Sequence, residues 1–179
     1  MVTRRYAPEL DLSGWLQGGP VTLADLRGRV VMLETFQMLC PGCVAYGLPL
    51  AQRVHQSFRS SDVTVIGLHT VFEHHDVMGR DALAAFVSEY RFDFPIGIDR
   101  HVAGPIPATM QHYELRGTPS TVLIDRNGRI AHAYFGSVDE LMLGVEIGRL
   151  LSDDPDPDGS PAHPGHTDAP ACRPDGICT

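Results

Sequence analysis

The sequence predicts an α/β domain built around a parallel or mixed sheet. Residues 30–36 are apolar at nearly every position, which is typical of a strand covered on both faces. Residues 63–69 form a second run of this kind, and between the two runs residues 44–58 place apolar side chains at helical spacing. A buried strand followed by an amphipathic helix and another buried strand indicates the α/β class.

Two cysteines stand where the first strand gives way to the helix. We expect Cys40 to be the nucleophile, because backbone N–H groups at a helix N-terminus help its thiol ionise below the free value of about 8.5. Cys43, one turn later, should be more buried and should resolve a mixed disulfide on Cys40. Pro41 and Gly42 stiffen and clear the turn between them. The alternatives are half a zinc site or two inert thiols, but no second Cys-x-x-Cys or His pair follows at the spacing of a zinc module.

Glu34 interrupts the apolar strand that leads to the cysteines. A carboxylate is costly to bury ionised, so such a residue usually has a partner or a chemical role. We expect Glu34 to lie beneath the cysteine helix and to exchange a proton with Cys43, with its pKa raised by desolvation. The alternative is an ion pair with an arginine at a sheet edge.

The remaining elements follow in order along the chain. Residues 69–76 form a polar loop. His69 could tune the thiolate there, and His74, His75 and Asp76 could bind a metal. The interpretation we favour is a surface loop in which His69 is hydrogen-bonded to backbone. Residues 117–120 lead into a hairpin whose turn carries Asn-Gly. The pattern predicts a helix at 81–90, a strand at 94–98, a short helix at 108–115, strands at 121–124 and 130–135, and a closing helix at 138–151.

Cys-Pro-Gly-Cys after a buried strand, Thr-Pro entering a hairpin and a closing helix resemble the thioredoxin-like superfamily. The resemblance is closest to the TlpA/ResA-like redoxins, which are related to the AhpC/TSA proteins, and it covers residues 7–151, including the opening 7–10 and the lead-in 21–31. It implies a central mixed sheet flanked by helices, with a TlpA-like strand–helix insertion. It also implies a thiol–disulfide oxidoreductase that acts on protein or small-molecule disulfides, uses a thiol reductant and needs no cofactor.

The resemblance assigns further residues to the site. Pro119 would be a cis proline whose backbone lies beside the cysteines, and Thr118 before it would bind an extended substrate. Leu39, Pro41 and Gly42 would complete the substrate surface.

Three departures from the family pattern stand out. Leu39 replaces the usual tryptophan before the first cysteine, and Pro49 comes one residue later than the usual helix proline, so the helix register should differ. Gln37 and Leu33 occupy positions where a peroxiredoxin needs Thr or Ser and Pro. An efficient peroxidase is therefore not expected, and weak thiol peroxidase activity remains an alternative.

Composition restricts the class of partner. The net charge is −8, of which −5 falls in residues 152–179, so nucleic-acid binding is not expected. No apolar run resembles a membrane span or the core of a signal peptide, and we therefore expect a cytoplasmic protein without a membrane partner. The sequence does not indicate an oligomeric state.

The sequence divides into a redoxin domain at 1–151 and an acidic, Pro- and Asp-rich tail at 152–179, which we expect to be mobile. The tail carries Cys172 and Cys178 on either side of a Pro-Asp-Gly turn, and one interpretation is a second redox pair that relays electrons to Cys40 and Cys43. A second is metal binding, in which His163 and His166 join the tail cysteines as ligands for zinc or copper. This makes a metal-handling protein the alternative function. A third interpretation is that the tail cysteines are inert.

Overall fold

The structure is a computed structural model that describes residues 5–153. Its centre is a six-stranded mixed sheet in the order β1-β4-β3-β2-β5-β6. The β2–β3 and β3–β4 pairs are parallel, and the β1–β4, β2–β5 and β5–β6 pairs are antiparallel. The strands are β1 Leu12–Gln17, β2 Val30–Phe36, β3 Val63–His69, β4 Ile96–Asp99, β5 Ser120–Ile124 and β6 Ile130–Phe135. The predicted α/β class and mixed sheet are confirmed.

Helices cover this sheet. A π-helical stretch, Cys43–Gly47, precedes α1 Leu48–Ser57, and a 3-10 turn, His75–Val77, precedes α2 Arg80–Tyr90. The last two helices are α3 Ala108–His112 and α4 Glu140–Ser152. Among residues 5–153, no helix has the length and apolar character needed to cross a bilayer.

The central strand β2 is buried along its whole length because its side chains alternate between two apolar clusters. Val30, Met32 and Phe36 belong to the cluster that includes α1 and α4, whereas Val31 and Leu33 belong to the other cluster. Each such side chain stabilises the fold by about 1.5–3 kcal/mol through burial. The uninterrupted apolar run in the sequence is thus the mark of a strand with a core on each face.

The edge strand β1 was not predicted from the sequence. Among the strands of residues 5–153 it pairs with β4 alone, its register is irregular at two places, and most of its side chains are half-buried. Its sequence, LSGWLQ, therefore lacks both the continuous run of a central strand and the strict alternation of a regular edge strand.

Other boundaries differ by a few residues. Strand β4 begins at Ile96 because Phe94, although buried, lies outside the ladder, and α3 ends at His112, short of the predicted 115. The helical spacing of Leu83, Val87 and Tyr90 places all three on the inward face of α2, but Tyr90, at the end of the helix, is half exposed. The hairpin is confirmed: the N–H of Gly128 donates to the carbonyl of Asp125 at 2.8 Å, which closes the turn.

The cysteine helix has the altered register that the position of Pro49 predicted. The N–H of Leu48 donates to the carbonyl of Cys43, an i→i−5 bond that accommodates one more residue than an α-helical turn. Pro49 then falls in the first turn of α1, where a missing N–H is tolerated.

Candidate active site

Cys40 lies just before the helical segment, at the carboxyl end of β2. A tight turn leads to it, since the N–H of Cys40 donates to the carbonyl of Gln37 at 3.2 Å. Its sulfur accepts a hydrogen bond from the N–H of Cys43 at 3.3 Å and donates one to the carbonyl of Thr118 at 3.4 Å. The side chain is partly exposed and its thiol is free. A backbone donor that points at an accessible sulfur is the arrangement that stabilises a thiolate.

Cys43 is fully buried behind it, with a free thiol. The pKa of Cys43 is raised to about 12, mainly by burial and to a smaller extent by a hydrogen bond with the Cys40 thiol. Cys43 therefore carries its proton at neutral pH, and it can attack a disulfide only after that proton has been removed.

Pro119 packs directly against the cysteine helix, and its peptide bond to Thr118 is cis. A Cβ placed on Gly42 would lie 3.2 Å from Pro119 Cδ, and one on Gly47 would lie 2.9 Å from Pro119 Cβ. Two glycines of the helical segment thus allow the proline to approach. The carbonyl of Pro119 accepts a hydrogen bond from the N–H of Gly136, which ties this loop to the end of the hairpin.

Glu34 lies on the helix side of β2, completely buried. Its Oε2 atom accepts a hydrogen bond of 2.6 Å from the Thr121 hydroxyl, while Oε1 has no partner among residues 5–153. A methyl group on Gly47 would overlap Oε1, so the carboxyl group lies beneath the helix that carries Cys43. Burial raises the pKa of Glu34 to about 8, and the Thr121 hydrogen bond opposes that rise only in part.

The alternative of an ion pair between Glu34 and an arginine is wrong. Glu34 pairs across the sheet with Gly67 and Thr121, in the centre and not at an edge, and none of its contacts within residues 5–153 is an ion pair. The carboxyl group is thus held by a neutral hydroxyl, and its raised pKa keeps it mostly protonated at neutral pH.

The surface around Cys40 is apolar. Leu39, which immediately precedes the cysteine, is 58% exposed, and Pro41 is also exposed. Tyr46, on the outer side of the π-helical stretch, is 61% exposed and was not singled out from the sequence. Exposed apolar side chains on either side of Cys40 in the chain provide a contact surface for another molecule.

Gln37 has a structural role that sequence reasoning missed. Its side chain is buried, and its Oε1 atom accepts from the N–H of Phe72 at 3.3 Å. Its Nε2 atom lies 3.5 Å from both Thr118 Oγ1 and Glu73 Oε1. Gln37 therefore joins the Thr118 loop to the loop after β3. The available signal was a polar residue directly after the apolar run of β2, three positions before the first cysteine.

His69 is nearly completely buried at the end of β3, and its Nε2 atom has no partner among residues 5–153. The preferred expectation, that backbone satisfies this side chain, therefore fails for Nε2. Burial lowers the pKa of His69 to about 4, so the ring is neutral at pH 7 and provides no positive charge to a thiolate.

Residues 5–153 contain no group of three or more His, Cys, Asp or Glu side chains arranged to hold a metal ion, so the suggested site at His74, His75 and Asp76 does not form. The tail residues His163, His166, Cys172 and Cys178 lie outside the described residues.

The model of the AhpC/TSA family matches residues 3–133, most of the chain and the whole of the cysteine motif. The chain belongs to this family. Among solved structures, a protein of the thioredoxin-like superfamily is 50% identical, with a TM-score of 0.83 over 85% of this chain and 99% of that one. A thiol-disulfide isomerase from Corynebacterium glutamicum is also 50% identical, with a TM-score of 0.80 over 83% of this chain and 98% of that one. The predicted thioredoxin-like fold is confirmed.

Two further relatives match most of this chain. The protein DipZ of Mycobacterium tuberculosis is 30% identical over 152 residues, which are 82% of this chain but 21% of that protein. The thiol-disulfide oxidoreductase ResA of Halalkalibacterium halodurans is 26% identical over 128 residues, 72% of this chain and 66% of the relative. The chain thus spans about a fifth of the length of DipZ. The predicted relation to the ResA-like thiol–disulfide oxidoreductases is confirmed.

Proposed function

We propose that this protein is a thiol–disulfide oxidoreductase in which Cys40 and Cys43 alternate between a dithiol and a disulfide. One observation carries the proposal: an accessible Cys40 sulfur accepts the Cys43 N–H at 3.3 Å while the Cys43 thiol is buried behind it. The two thiols therefore have different roles: Cys40 can contact a substrate, whereas Cys43 can contact only Cys40.

In the first step, the Cys40 thiolate attacks one sulfur of a substrate disulfide. The Cys40–substrate disulfide forms, the substrate S–S bond breaks, and one substrate thiolate leaves and takes up a proton. The N–H of Cys43 stabilises the negative charge before the attack, and this stabilisation is lost as the sulfur becomes neutral.

In the second step, Cys43 attacks the Cys40 sulfur, the Cys40–Cys43 disulfide forms, and the second substrate thiolate leaves. The substrate has gained two electrons and the protein has lost two. Cys43 must first give up its proton, and Glu34 is an acid buried beneath the same helix with a pKa of about 8. With this pKa a minority of Glu34 is ionised at neutral pH, and we assign to this ionised form the role of accepting the proton, which it returns when a thiol reductant regenerates the dithiol.

The apolar surface favours a substrate with an apolar segment beside its disulfide. Leu39 and Pro41 lie exposed on one side of Cys40, and the Thr118 backbone lies on the other, within hydrogen-bonding distance of the sulfur. Thr118 with Pro119 forms the rest against which an extended protein or small-molecule disulfide would lie, and Gly42 leaves this surface open. The partners proposed are such a disulfide and a thiol reductant.

A trapping experiment tests the division of tasks. Cys43→Ser should accumulate a stable mixed disulfide with a disulfide substrate at Cys40, detected as an adduct by mass spectrometry. Cys40→Ser should form no adduct under the same conditions because Cys43 is buried. Equal labelling of both variants, or of neither, contradicts the proposal.

Single-turnover kinetics test the role of Glu34. Glu34→Gln should leave the formation of the mixed disulfide intact and slow its resolution at neutral pH, with Glu89→Gln, an exposed change on α2, as the control. If the resolution rate of Glu34→Gln equals that of the wild type across the pH range, Glu34 takes no part in proton transfer.

Several expectations from the sequence concern features beyond the described residues. Location in the cytoplasm, the division at residue 151 and the redox relay through Cys172 and Cys178 stay predictions. Cell fractionation tests the location, and mass-spectrometric mapping of the disulfides tests the relay. The metal-handling alternative would require a stoichiometric metal in the purified full-length protein.

A further inference from the structure

A cavity lies at the same edge of the sheet as the dithiol. It has a volume of about 470 Å³ and opens at the carboxyl ends of β3 and β4. Strand β3 separates β4 from β2, the strand that leads to Cys40, so the cavity is one strand removed from the reactive sulfur. Cavities of this size accommodate small organic ligands, and the wall provides an apolar part formed by Val71, Met78 and Ile98.

His69 supplies the first polar feature of this cavity. The side chain lies on the cavity wall, is 2% exposed, and has no hydrogen-bond partner for Nε2 among residues 5–153. Buried polar atoms in folded proteins nearly always have a partner. The ring is neutral because burial lowers its pKa to about 4, so Nε2 can serve as a donor or an acceptor according to the tautomer.

Arg80 supplies the second polar feature, together with the start of α2. Gly79 and Arg80 both line the cavity, and Gly79 caps the 11-residue helix α2 without a side-chain hydrogen bond. The first amide groups of a helix have no partner within it and favour an anion. The Arg80 guanidinium donates to the carbonyl of Trp15, and in the part of the chain that the structure describes it forms no ion pair with an acid. Asp81, in the same turn, is exposed and does not line the cavity.

The other charged groups of the wall already have partners. Arg100 forms a two-point ion pair with Asp11, with both N–O distances at 2.6 Å. The oxygens of Asp99 accept hydrogen bonds from the Thr70 hydroxyl and from the N–H groups of Thr109 and Met110. These donors are neutral and leave Asp99 its charge, but they take up its oxygens. Arg80 is therefore the charged side chain of the wall that has neither an ion pair nor its hydrogen-bonding groups fully used within residues 5–153.

Two more histidines lie at the cavity, His75 and His101, with ring centroids 4.9 Å apart in an edge-to-face arrangement. Their faces are suited to packing against a flat organic group. The wall thus combines an end formed by Arg80 and the start of α2, an apolar side and two flat rings.

We propose that this cavity is a binding site for a small organic monocarboxylate. The carboxylate is recognised by Arg80 and the first amides of α2, the body packs against Val71 and Ile98, and His69 contributes a hydrogen bond. This site is distinct from the dithiol, and its occupation does not depend on the redox function proposed above.

The cavity wall is also connected to the dithiol. Val71 is followed by Phe72, whose N–H donates to the buried side chain of Gln37 at 3.3 Å, and Gln37 lies 3.5 Å from the Thr118 hydroxyl. Thr118 in turn accepts a hydrogen bond from the Cys40 sulfur. A ligand in the cavity therefore touches a loop held by the same side chain that holds the Thr118 loop.

Phenylacetate is a suitable probe, and the experiment is a titration of the ¹⁵N-labelled, reduced full-length protein followed by NMR. We expect saturable shifts of the amides of residues 71, 79–82 and 98–101, with a Kd of about 1 mM or below for a ligand of this size. Phenylacetamide has the same shape without the charge and should bind at least about tenfold more weakly.

Two variants and a control complete the test. Arg80→Ala should weaken phenylacetate binding at least about tenfold, and its exposed position keeps the fold intact. His69→Phe keeps a ring of similar size without Nε2 and should weaken binding about fivefold. Arg59→Ala, an exposed arginine after α1, should bind like the wild type.

Three results would overturn the proposal. The first is the absence of saturable binding, and the second is equal binding of the acid and its amide. The third is a set of shifted amides that surrounds Leu39 and Thr118 instead of Arg80, which would place the probe at the dithiol. Failure of this test leaves the trapping experiment on Cys40 and Cys43 unaffected, because that experiment contains no carboxylate ligand.

Discussion

Replacing Glu34 with glutamine should change how the stability of the fold depends on pH. In the native protein, burial raises the pKa of Glu34 to about 8 from an ordinary value of 4.5. Below pH 4.5 the carboxyl group is neutral in both the folded and the unfolded chain. Between pH 4.5 and 8 the unfolded chain releases a proton that the folded chain keeps, so the free energy of unfolding falls as the pH rises.

The size of this effect follows from the shift. Each unit of pKa corresponds to about 1.4 kcal/mol, so ionisation of Glu34 in the unfolded chain removes up to about 5 kcal/mol of stability by pH 8 and above. Glutamine cannot ionise. The free energy of unfolding of Glu34→Gln, minus that of the wild type, should therefore rise with pH by up to about 1.4 kcal/mol per unit between pH 5 and 8.

Urea denaturation of the reduced protein at unit steps from pH 5 to pH 9 measures this difference. Any fixed effect of the glutamine amide beneath Gly47 adds the same offset at every pH and leaves the slope unchanged. Glu89→Gln should give a flat difference because Glu89 is exposed on α2. A difference for Glu34→Gln that stays constant within about 0.5 kcal/mol from pH 5 to pH 9 would refute the assignment of a raised pKa to Glu34.

Thr121→Val provides an independent check on the same carboxyl group. The Thr121 hydroxyl donates to Glu34 Oε2 at 2.6 Å, and this hydrogen bond lowers the pKa of Glu34 against the larger effect of burial. Removing the hydroxyl should raise the pKa further and extend the loss of stability to higher pH. A titration window that moves to lower pH would contradict this account.

Three further predictions follow from the packing and the sequence. Gly47→Ala should lower the free energy of unfolding by about 1–3 kcal/mol because its methyl group meets the Glu34 carboxyl. Gly144→Ala, whose methyl group has no neighbouring atom within 4 Å, should raise the free energy of unfolding by about 0.5–1 kcal/mol. Urea denaturation measures both changes. Gln37→Ala should destabilise the fold by about 1 kcal/mol and slow mixed-disulfide formation about tenfold in stopped-flow assays, because the Thr118 loop loses its buried anchor. Changing Cys172 and Cys178 together to serine should slow turnover with the physiological reductant if the tail relays electrons, and unchanged turnover would exclude the relay.

The centre of the fold could be predicted because its signal is local and strong. Val30–Phe36 and Val63–His69 are buried on both faces, and a strand of this kind leaves a continuous apolar run in the sequence. The Asn127-Gly128 turn is similarly explicit, and the hairpin it predicts is present. Glu34 stood out for the converse reason, since it is an acid within an apolar run.

The features that were missed depend on contacts between distant segments. Strand β1 is held by pairing with β4, which comes much later in the chain, and its own residues give no regular pattern. The structural role of Gln37 was missed because its partners, Phe72 and Thr118, come from two other loops. The sequence could show that Gln37 is polar but not that it is buried between these loops.

The position of Pro49 illustrates how one extra residue can be accommodated without disturbing the site. A regular α-helix advances about 100° per residue, so an insertion between Cys43 and Pro49 would rotate one of the two buried faces out of the core. The π-helical stretch Cys43–Gly47 absorbs the extra residue, and both Cys43 and Leu48 remain buried. The residue that ends this stretch, Gly47, lies over the Glu34 carboxyl and beside Pro119, where no side chain fits. The altered register, Gly47 and Glu34 are therefore parts of one arrangement, and a change in any of them should alter the packing around Cys43.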